Sequence, residues 1–499
     1  MTLDLLAVSA PGWAYMILGG FTVAVRAART LFRWASLISR QFSLVSLHVK
    51  QSLYVNEVVL GTAFGVLMGP YVANIFDPRS WTVETNAVTL ELMRIVLATG
   101  LFAIGVELPK SYMAKSAKSL LVMVVPTMTI GWVASAAFIH LLFPQLSYIS
   151  GLAISACLTP TDPVVSSTII GGKFATQYVP VGLRRLLIAE SASNDGLAYP
   201  FLSISIYLTV EASRRAAIGK WFLVGWLYQV ILGVALGATL GFIFSHLMRF
   251  AHQKGLVERE GYVAQYIALA IFTIGVTSTL GSDDLLAAFA AGNAFSWDGS
   301  FDTQVGNEVF SSVIDFVLNS ACFVYIGAWL PFSQFNNPEL GMTPGRLVAL
   351  VLVILALRRI PAVMILYKWV PEITSWREAL FAGHFGPMGV GAVFISTLAL
   401  SRLEAPHCPP QNQEELLAVT LQPIVAFVLL GSIIVQTDKD IEQAVTPKAG
   451  NYIQTTEPTG TADSSGVARN TTLLSGRGNG IPETDERDVA DAGFYPEVT

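Results

Sequence analysis

Residues 151–170 read GLAISACLTPTDPVVSSTII, an apolar run interrupted at its centre by two prolines, a threonine and an aspartate. Proline removes a backbone donor and clashes with the preceding helical turn, so Pro160 and Pro163 predict a helix that is broken in mid-run. The break frees carbonyl oxygens at the end of the first half and amide groups at the start of the second. With the Thr161 hydroxyl and the Asp162 carboxylate, these oxygens suit a hard monovalent cation. The alternative is a simple proline kink in which Asp162 caps the second half-helix.

The composition of the chain places this run in a membrane. Of the 499 residues, 53% are apolar and 13% are charged, whereas roughly a quarter are charged in a typical soluble domain. Residues 438–499 hold 11 acidic and 5 basic residues, so the net charge of −5 belongs to this polar segment, which predicts a disordered tail. Residues 1–437 are therefore predicted to be an all-α polytopic membrane protein. A soluble enzyme, a nucleic-acid-binding protein and a secreted disulfide scaffold are excluded.

Thirteen segments are apolar over about the length that a membrane-spanning helix needs. They lie near 12–34, 56–75, 88–109, 119–143, 148–170, 183–210, 221–248, 262–280, 283–297, 307–332, 345–369, 377–401 and 416–437. The alternating connections and the near tail hold 18 lysines and arginines on one side and 7 on the other. Because positive charge favours the inner side, the C-terminal tail is predicted to be cytoplasmic.

The sixth predicted span carries a polar stripe in the sequence ESASND at 190–195. Glu190 and Asn194, like Ser191 and Asp195, are four residues apart and share one face of a helix. Asp195 falls near the middle of the membrane, where a carboxylate can hold a proton or a metal cation but not both. That competition is sufficient for cation/proton exchange. The alternative is a buried, hydrogen-bonded Asn–Asp pair that fixes helix packing.

The twelfth predicted span is weakened by the run GHFGPMGVG at 383–391. This second interrupted helix comes seven spans after the first. Paired interruptions in corresponding halves are typical of inverted-repeat transporters with a site at the midplane. Close packing of small residues between helices is the alternative.

A few other charges fall within the apolar spans. Arg358 and Arg359 lie past the middle of the eleventh span, and one of them is expected to pair with Glu190. Asp283 and Asp284 open the ninth span, where acids commonly cap a helix. The sequence has no nucleotide-binding loop, catalytic triad or metal-ligand pattern. It therefore predicts a transporter that is driven by an ion gradient and requires no cofactor, rather than an enzyme.

Four sequence blocks carry a resemblance to a known family. They are TPTDP at 159–163, AESASNDGLAYPFL at 189–202, GSDDLLAAFAAGNAFSWD at 281–298 and GHFGPMGVGAVF at 383–394. In this order they resemble the fungal plasma-membrane sodium/proton antiporters of the monovalent cation:proton antiporter family, and the resemblance extends over about residues 12–440. It implies an NhaA-like fold of about thirteen helices, with inverted repeats, two broken crossing helices, and a core domain that moves against a dimerisation domain. It also implies a homodimer in the plasma membrane.

The resemblance also implies roles for individual residues. Asp195 would carry the cation and the proton, beside Asn194 and Ser191, while Thr161 and Asp162 would contribute to the cation site from the unwound crossing helix. The supporting residues would be Glu190, Arg358, Arg359, the pair Asp283 and Asp284, and His384, which matches a family histidine linked to pH-dependent transport. Na⁺, Li⁺ or K⁺ would leave the cell as protons enter, for salt tolerance and pH homeostasis.

Two features depart from the family pattern, and one other function stays open. The tail is short, which puts its regulatory roles in doubt. The segment from Val25 to Gln41 adds four arginines, and it is either a retained intron in the gene or an amphipathic helix at the inner surface. The alternative function is a sodium-coupled symporter of an organic solute, which would need a wider site.

Overall fold

The computed structural model describes residues 57–171, 173–254, 259–297 and 309–436. The predicted first span at 12–34, the segment from Val25 to Gln41 and the predicted tail at 438–499 lie outside these ranges.

The described ranges are helical, and their backbone forms one isolated β-bridge, Asn337 to Met342, but no strand. The α-helices of the first half are α1 (Glu57–Met68), α2 (Thr85–Glu107), α3 (Tyr112–Lys115), α4 (Ala117–Val122), α5 (Met128–Leu142), α6 (Tyr148–Leu158), α7 (Pro163–Ile170), α8 (Lys173–Tyr178), α9 (Val181–Gly196) and α10 (Ala198–Val210). Those of the second half are α11 (Arg214–Lys220), α12 (Leu232–Gln253), α13 (Arg259–Leu280), α14 (Asp284–Phe295), α15 (Val309–Trp329), α16 (Pro344–Leu357), α17 (Ile360–Leu366), α18 (Trp376–His384), α19 (Val390–Leu400) and α20 (Gln413–Gln436). Met123–Thr127 and Trp221–Ile231 are π-helical, and short 3₁₀ turns occupy Pro78–Ser80, Phe332–Gln334, Pro338–Leu340 and Tyr367–Trp369.

Several of these helices match predicted spans. Five helical stretches of the described residues are long and apolar enough to cross a membrane: Thr85–Glu107, Ala117–Leu142, Arg214–Ala251, Pro344–Trp369 and Gln413–Val435. Shorter apolar helices are Val58–Met68, Tyr148–Leu158, Ile267–Leu280, Asp284–Phe295, Leu318–Trp329 and Val390–Leu400. The helical fold class is as expected, and the count of thirteen spans stays a prediction.

Hydrogen bonds between connections show which helix ends share a face of the molecule. Gln413 donates to the Gln145 carbonyl over 3.0 Å and accepts from the Ser147 amide over 2.9 Å, so two predicted outer connections meet. At the opposite ends, Ser119 donates to Glu372, which joins two predicted inner connections. These four connections therefore lie at two opposite faces, in the pairs that the sequence predicts. We call the face that carries residues 143–147 and 401–412 the predicted outer face.

The two predicted helix breaks are both present. The fifth span consists of α6 and α7 with residues 159–162 between them, and the twelfth consists of α18 and α19 with residues 385–389 between them. The breaks touch, because the Asp162 amide donates to the Pro387 carbonyl over 2.7 Å. The fifth and twelfth spans thus cross at their unwound segments.

The sixth and eleventh spans each contain a further interruption, which was not predicted. The sixth divides after Gly196 and the eleventh after Leu357. Each of these residues lies four positions before a proline, Pro200 and Pro361, whose ring clashes with that carbonyl and which lacks the amide to bond it. The second interruption releases Arg358 and Arg359 from regular helix, so that both can reach the crossing.

Candidate functional site

Asp162 joins the two half-helices that begin at the crossing. One oxygen, Oδ1, accepts from the Val165 amide over 2.9 Å and caps α7. The other, Oδ2, accepts from the Gly391 amide over 3.3 Å at the start of α19. Helix N-termini carry partial positive charge, so one carboxylate stabilises both of the positive ends that face each other in the membrane.

Arg358 performs the complementary task for the two half-helices that end at the crossing. Its guanidinium donates to the Leu158 carbonyl at the end of α6 and to the Gly386 carbonyl just beyond α18. It also lies 3.5 Å from the carbonyls of Thr159 and Pro160. Because unpaired carbonyls are costly away from water, this buried arginine stabilises the two broken helices.

Glu190 pairs with the second arginine of the eleventh span. Arg359 Nη1 and Nη2 lie 2.5 Å from Glu190 Oε1 and Oε2, in a bidentate ion pair. Arg359 Nε donates to the Ala382 carbonyl over 2.9 Å. Both side chains are buried, so the ion pair ties α9 to the eleventh span through a contact that would be expensive to break, and the Nε bond extends the connection to α18.

Thr161, Ser191 and Asn194 form one hydrogen-bonded group between the crossing and α9. Asn194 accepts from the Thr161 amide over 3.1 Å and donates to the Thr161 hydroxyl over 2.9 Å. The Thr161 hydroxyl in turn donates to Ser191 Oγ over 2.9 Å, and Asn194 also donates to Glu190 over 3.2 Å. The amide and the hydroxyl of Thr161 are therefore already engaged within the protein.

Asp195 differs from these neighbours. It is 1% exposed, and neither of its carboxylate oxygens accepts a hydrogen bond from any residue in the described ranges. The carboxylate lies against the backbone of α19, where a Cβ added at Gly391 would overlap it. A buried carboxylate without partners is costly, and binding a proton or a cation would remove that cost.

A cavity of about 330 Å³ extends from Asp195 to the predicted outer face. At that face its wall includes Ser401 and Arg402, both exposed, in the connection after α19. Deeper in, the wall is formed by Tyr199 and by Gln229 from the π-helical segment. Thr161, Asp162 and Asn194 are not among the described residues that line the cavity. Asp195 is thus the member of the crossing that the cavity reaches.

The cavity wall contains further charged side chains, from α2 and from the start of α14. Asp283 caps α14 by accepting from the Leu286 amide over 2.9 Å. Asp284 forms an ion pair with Arg94, whose Nε lies 3.0 Å from Asp284 Oδ2. Arg94 also lies 3.1 Å from Glu91 on its own helix. All four line the cavity, which is therefore a charged passage.

On the inner side, the cavity ends where Leu286 packs against Gly196. A Cβ at Gly196 would lie 3.0 Å from Leu286 Cδ1, so the two helices touch with no space for a side chain. A second cavity of about 720 Å³ begins beyond this contact. Leu197, Leu286, Phe289 and Trp297 form part of its largely apolar wall. The Gly196–Leu286 contact therefore separates the two cavities.

The site that these residues form is typical of an ion transporter, and comparison of the chain with known proteins identifies its family. The profile of the transmembrane sodium/hydrogen exchanger family matches residues 37–437. The chain belongs to this family. It is a multi-pass membrane protein, and members of the family are transporters rather than enzymes.

Two curated members of the exchanger family match over most of the chain. A probable Na⁺/H⁺ antiporter of Schizosaccharomyces pombe is 42% identical over 438 residues, which cover 86% of this chain and 55% of that protein. The Na⁺/H⁺ antiporter of Saccharomyces cerevisiae is 43% identical over 423 residues, which cover 82% of this chain and 43% of that protein. The chain spans about half the length of these relatives.

A solved exchanger structure has the same fold. The sodium proton antiporter MjNhaP1 from Methanocaldococcus jannaschii superposes with a TM-score of 0.61 at 18% identity, covering 83% of this chain and 97% of that one. The similarity supports the predicted all-α transporter fold with two broken helices.

The predicted site residues fall into three groups. The crossing brings together Asp195, Asn194, Ser191, Thr161, Asp162, Glu190, Arg358 and Arg359. Asp283 and Asp284 line the same cavity as Asp195. His384, at the end of α18, is half-buried and is not among the described residues lining the Asp195 cavity.

Arg94 and Glu91 were missed as candidate site residues by sequence reasoning. Both lie inside the third predicted span, and Arg94 was counted only as an outer charge. Two opposite charges three residues apart within an apolar span indicate a functional or structural ion pair, and that signal was available.

Proposed function

We propose that the protein exchanges Na⁺ for H⁺ across the membrane and that Asp195 carries both ions in turn. The observation that supports this most strongly is the Asp195 carboxylate, buried, without a partner among the described residues, and at the end of a cavity open to one face. The charge balance of the exchange reaction is maintained at the Asp195 carboxylate. A cation binds as the carboxylic acid releases its proton, and a proton returns as the cation leaves.

The surroundings of Asp195 also support alternating access. The outer cavity leads to the carboxylate, whereas Leu286 against Gly196 separates it from the second cavity. This is an outward-facing arrangement. In the inward-facing arrangement that exchange requires, this contact opens and the outer cavity closes, so that Asp195 is never open to both sides.

We further propose exchange of one cation for one proton. Asp162 accepts hydrogen bonds from two backbone amides, and Asp283 accepts one, so both carboxylates already stabilise helix ends. Asp284 is paired with Arg94. These engagements leave Asp195 as the group that can exchange its ligand without disrupting the crossing.

The finer assignments rest on the resemblance of the four sequence blocks to the fungal antiporters and on charge placement. The proposed cations include Li⁺ and K⁺ besides Na⁺, because carbonyl and carboxylate oxygens bind all three. The proposed location is the plasma membrane, with the C-terminal tail in the cytoplasm and the protein as a homodimer. The proposed physiological role is salt tolerance and pH homeostasis.

A proteoliposome assay tests the exchange function. Vesicles that are acidic inside and contain a quenched pH dye should recover fluorescence when Na⁺, Li⁺ or K⁺ is added outside. Asp195→Asn should reduce this recovery by at least about a hundredfold, since it removes the group that carries the proton, while the protein remains folded. Absence of any response in the unaltered protein, or full activity in Asp195→Asn, would refute the proposal.

A further inference from the structure

Arg94 is a fixed positive charge in the wall of a passage through which a cation is proposed to move. We propose that Arg94 sets the apparent affinity for cations arriving from the predicted outer face, by neutralising Asp284 in the cavity wall. This inference rests on the proposed exchange function.

The geometry holds Arg94 firmly at this position. Its Nε lies 3.0 Å from Asp284 Oδ2, and its Nη1 lies 3.1 Å from Glu91 Oε1 and donates to Ser278 Oγ over 2.9 Å. Ser278 also donates to Asp284 Oδ2 over 3.2 Å, which closes a small ring of contacts between α2, α13 and α14. The Arg94 and Asp284 side chains are only 12% and 10% exposed. Solvent therefore screens their charges weakly.

The balance of charge in the cavity gives Arg94 its effect. The ionisable groups that line it are Glu91, Arg94, Asp195, Tyr199, Asp283, Asp284 and Arg402. The Arg94 guanidinium carries a positive charge, so it cancels one acidic charge in the cavity wall. Removing it would make the passage more negative and raise the local concentration of cations.

A weaker attraction is useful in a transporter. A site must bind a cation well enough to capture it and weakly enough to release it. Four acidic groups in one small cavity would hold a cation tightly, and the Arg94–Asp284 pair removes part of that attraction without closing the passage. Arg94 also lies 5.7 Å from the ring of Phe394 on α19, so its charge is close to the half-helix that contacts Asp195.

A charge-balanced set of variants tests the inference in oriented vesicles. Arg94→Gln should lower the KM for Na⁺ supplied at the outer face, and Asp284→Asn should raise it, each by roughly two- to tenfold for one unit charge at this range. The double variant Arg94→Gln/Asp284→Asn should return the KM to within about twofold of the unaltered protein. Arg94→Lys keeps the charge and should keep the KM.

Several outcomes would overturn the inference. If the two single variants shift the KM in the same direction, or if Arg94→Lys behaves like Arg94→Gln, the role of Arg94 is to clamp α2 to α14. If Arg94→Gln does not fold, two variants still test the inference. Asp284→Asn should raise the KM for Na⁺, and Arg94→Lys should leave it unchanged. Absence of exchange by the unaltered protein would instead refute the proposed function, so the two failures are distinguishable.

Discussion

Asp162 and Asp195 are both buried acids at the crossing, and their surroundings separate their roles. Asp162 accepts hydrogen bonds at both oxygens and caps two half-helices. Asp195 accepts none from the described residues and faces a cavity. Removing Asp162 would therefore damage the crossing itself, whereas removing Asp195 would leave the crossing intact and remove the exchangeable ligand. The same residue type thus serves structure at one position and, as proposed, transport at the other.

Gly391 offers a test at the residue scale. A Cβ there would overlap the Asp195 carboxylate, so Gly391→Ala should displace that carboxylate and reduce exchange by at least about tenfold, since misplacing a reacting group by about 1 Å is costly. Proton-coupled Na⁺ uptake into proteoliposomes measures the effect. Gly219→Ala is the matched control, because a Cβ at Gly219 meets nothing within 4 Å. Unaltered exchange in Gly391→Ala would contradict the close contact.

The sequence predicted the residues of the crossing better than it predicted their roles. Apolar context alone marked Asp162, Glu190 and Asp195 as functional candidates, because charge at membrane depth is rare. The sequence did not show that the hydroxyl of Thr161 would be engaged by Ser191 and Asn194, since that depends on how α9 packs against the break. The sequence pattern identifies a polar group within a span, whereas helix packing decides whether that group is available to bind an ion.

At the scale of elements, the two broken helices are stabilised by one acid and one base. Asp162 lies at both positive ends, and Arg358 donates to carbonyls at both negative ends. Hydrocarbon cannot satisfy these backbone groups, so the crossing depends on side chains to do so. The crossing is thus built from segments that are far apart in sequence and depends on these two side chains.

Arg358→Ala tests this dependence. It would leave the Leu158 and Gly386 carbonyls without their buried donor, and we expect a loss of about 2–6 kcal/mol in stability, at about 1–3 kcal/mol for each unsatisfied acceptor. Thermal unfolding of the purified protein in detergent measures the change. Arg377→Ala is the matched control, because Arg377 is exposed and contacts the ring of Trp376. Equal melting temperatures for the two variants would contradict the structural role of Arg358.

The prolines explain which helix breaks were evident from the sequence and which were not. Pro160 and Pro163 lie close together beside polar residues, so their break was predictable. Pro200 and Pro361 are single prolines in otherwise apolar runs, and Pro423 lies within α20 without breaking it. A lone proline in a membrane helix is therefore ambiguous, because neighbouring helices decide whether the freed carbonyl finds another partner.

At the scale of the whole molecule, the cavity and the barrier predict which face gives access to Asp195. The excess of lysine and arginine on the face opposite the cavity predicts that the cavity opens to the outer side. The orientation is a prediction of the sequence, whereas access to Asp195 from this face depends on how α14 packs against α9.

Cysteine labelling tests the orientation and the state together. In a Cys408→Ser background, which removes the exposed native thiol, Leu398→Cys in the outer cavity should react with a membrane-impermeant thiol reagent applied to intact cells. Ala294→Cys in the second cavity should react only after the membrane is permeabilised. Cys157 and Cys322 are buried and should contribute little background. The reverse labelling pattern would contradict the assigned orientation.

The central claim is that Na⁺ and H⁺ compete for one carboxylate, Asp195. The most direct measurement is the apparent KM for Na⁺ at the outer face as a function of outer pH. It is made in proteoliposomes whose internal pH and Na⁺ concentration are held constant. Competition predicts that KM rises as pH falls, approaching about tenfold per pH unit at low pH, with the maximal rate at saturating Na⁺ unchanged. A KM that is independent of pH would show that the two ions use separate sites, and would contradict the account.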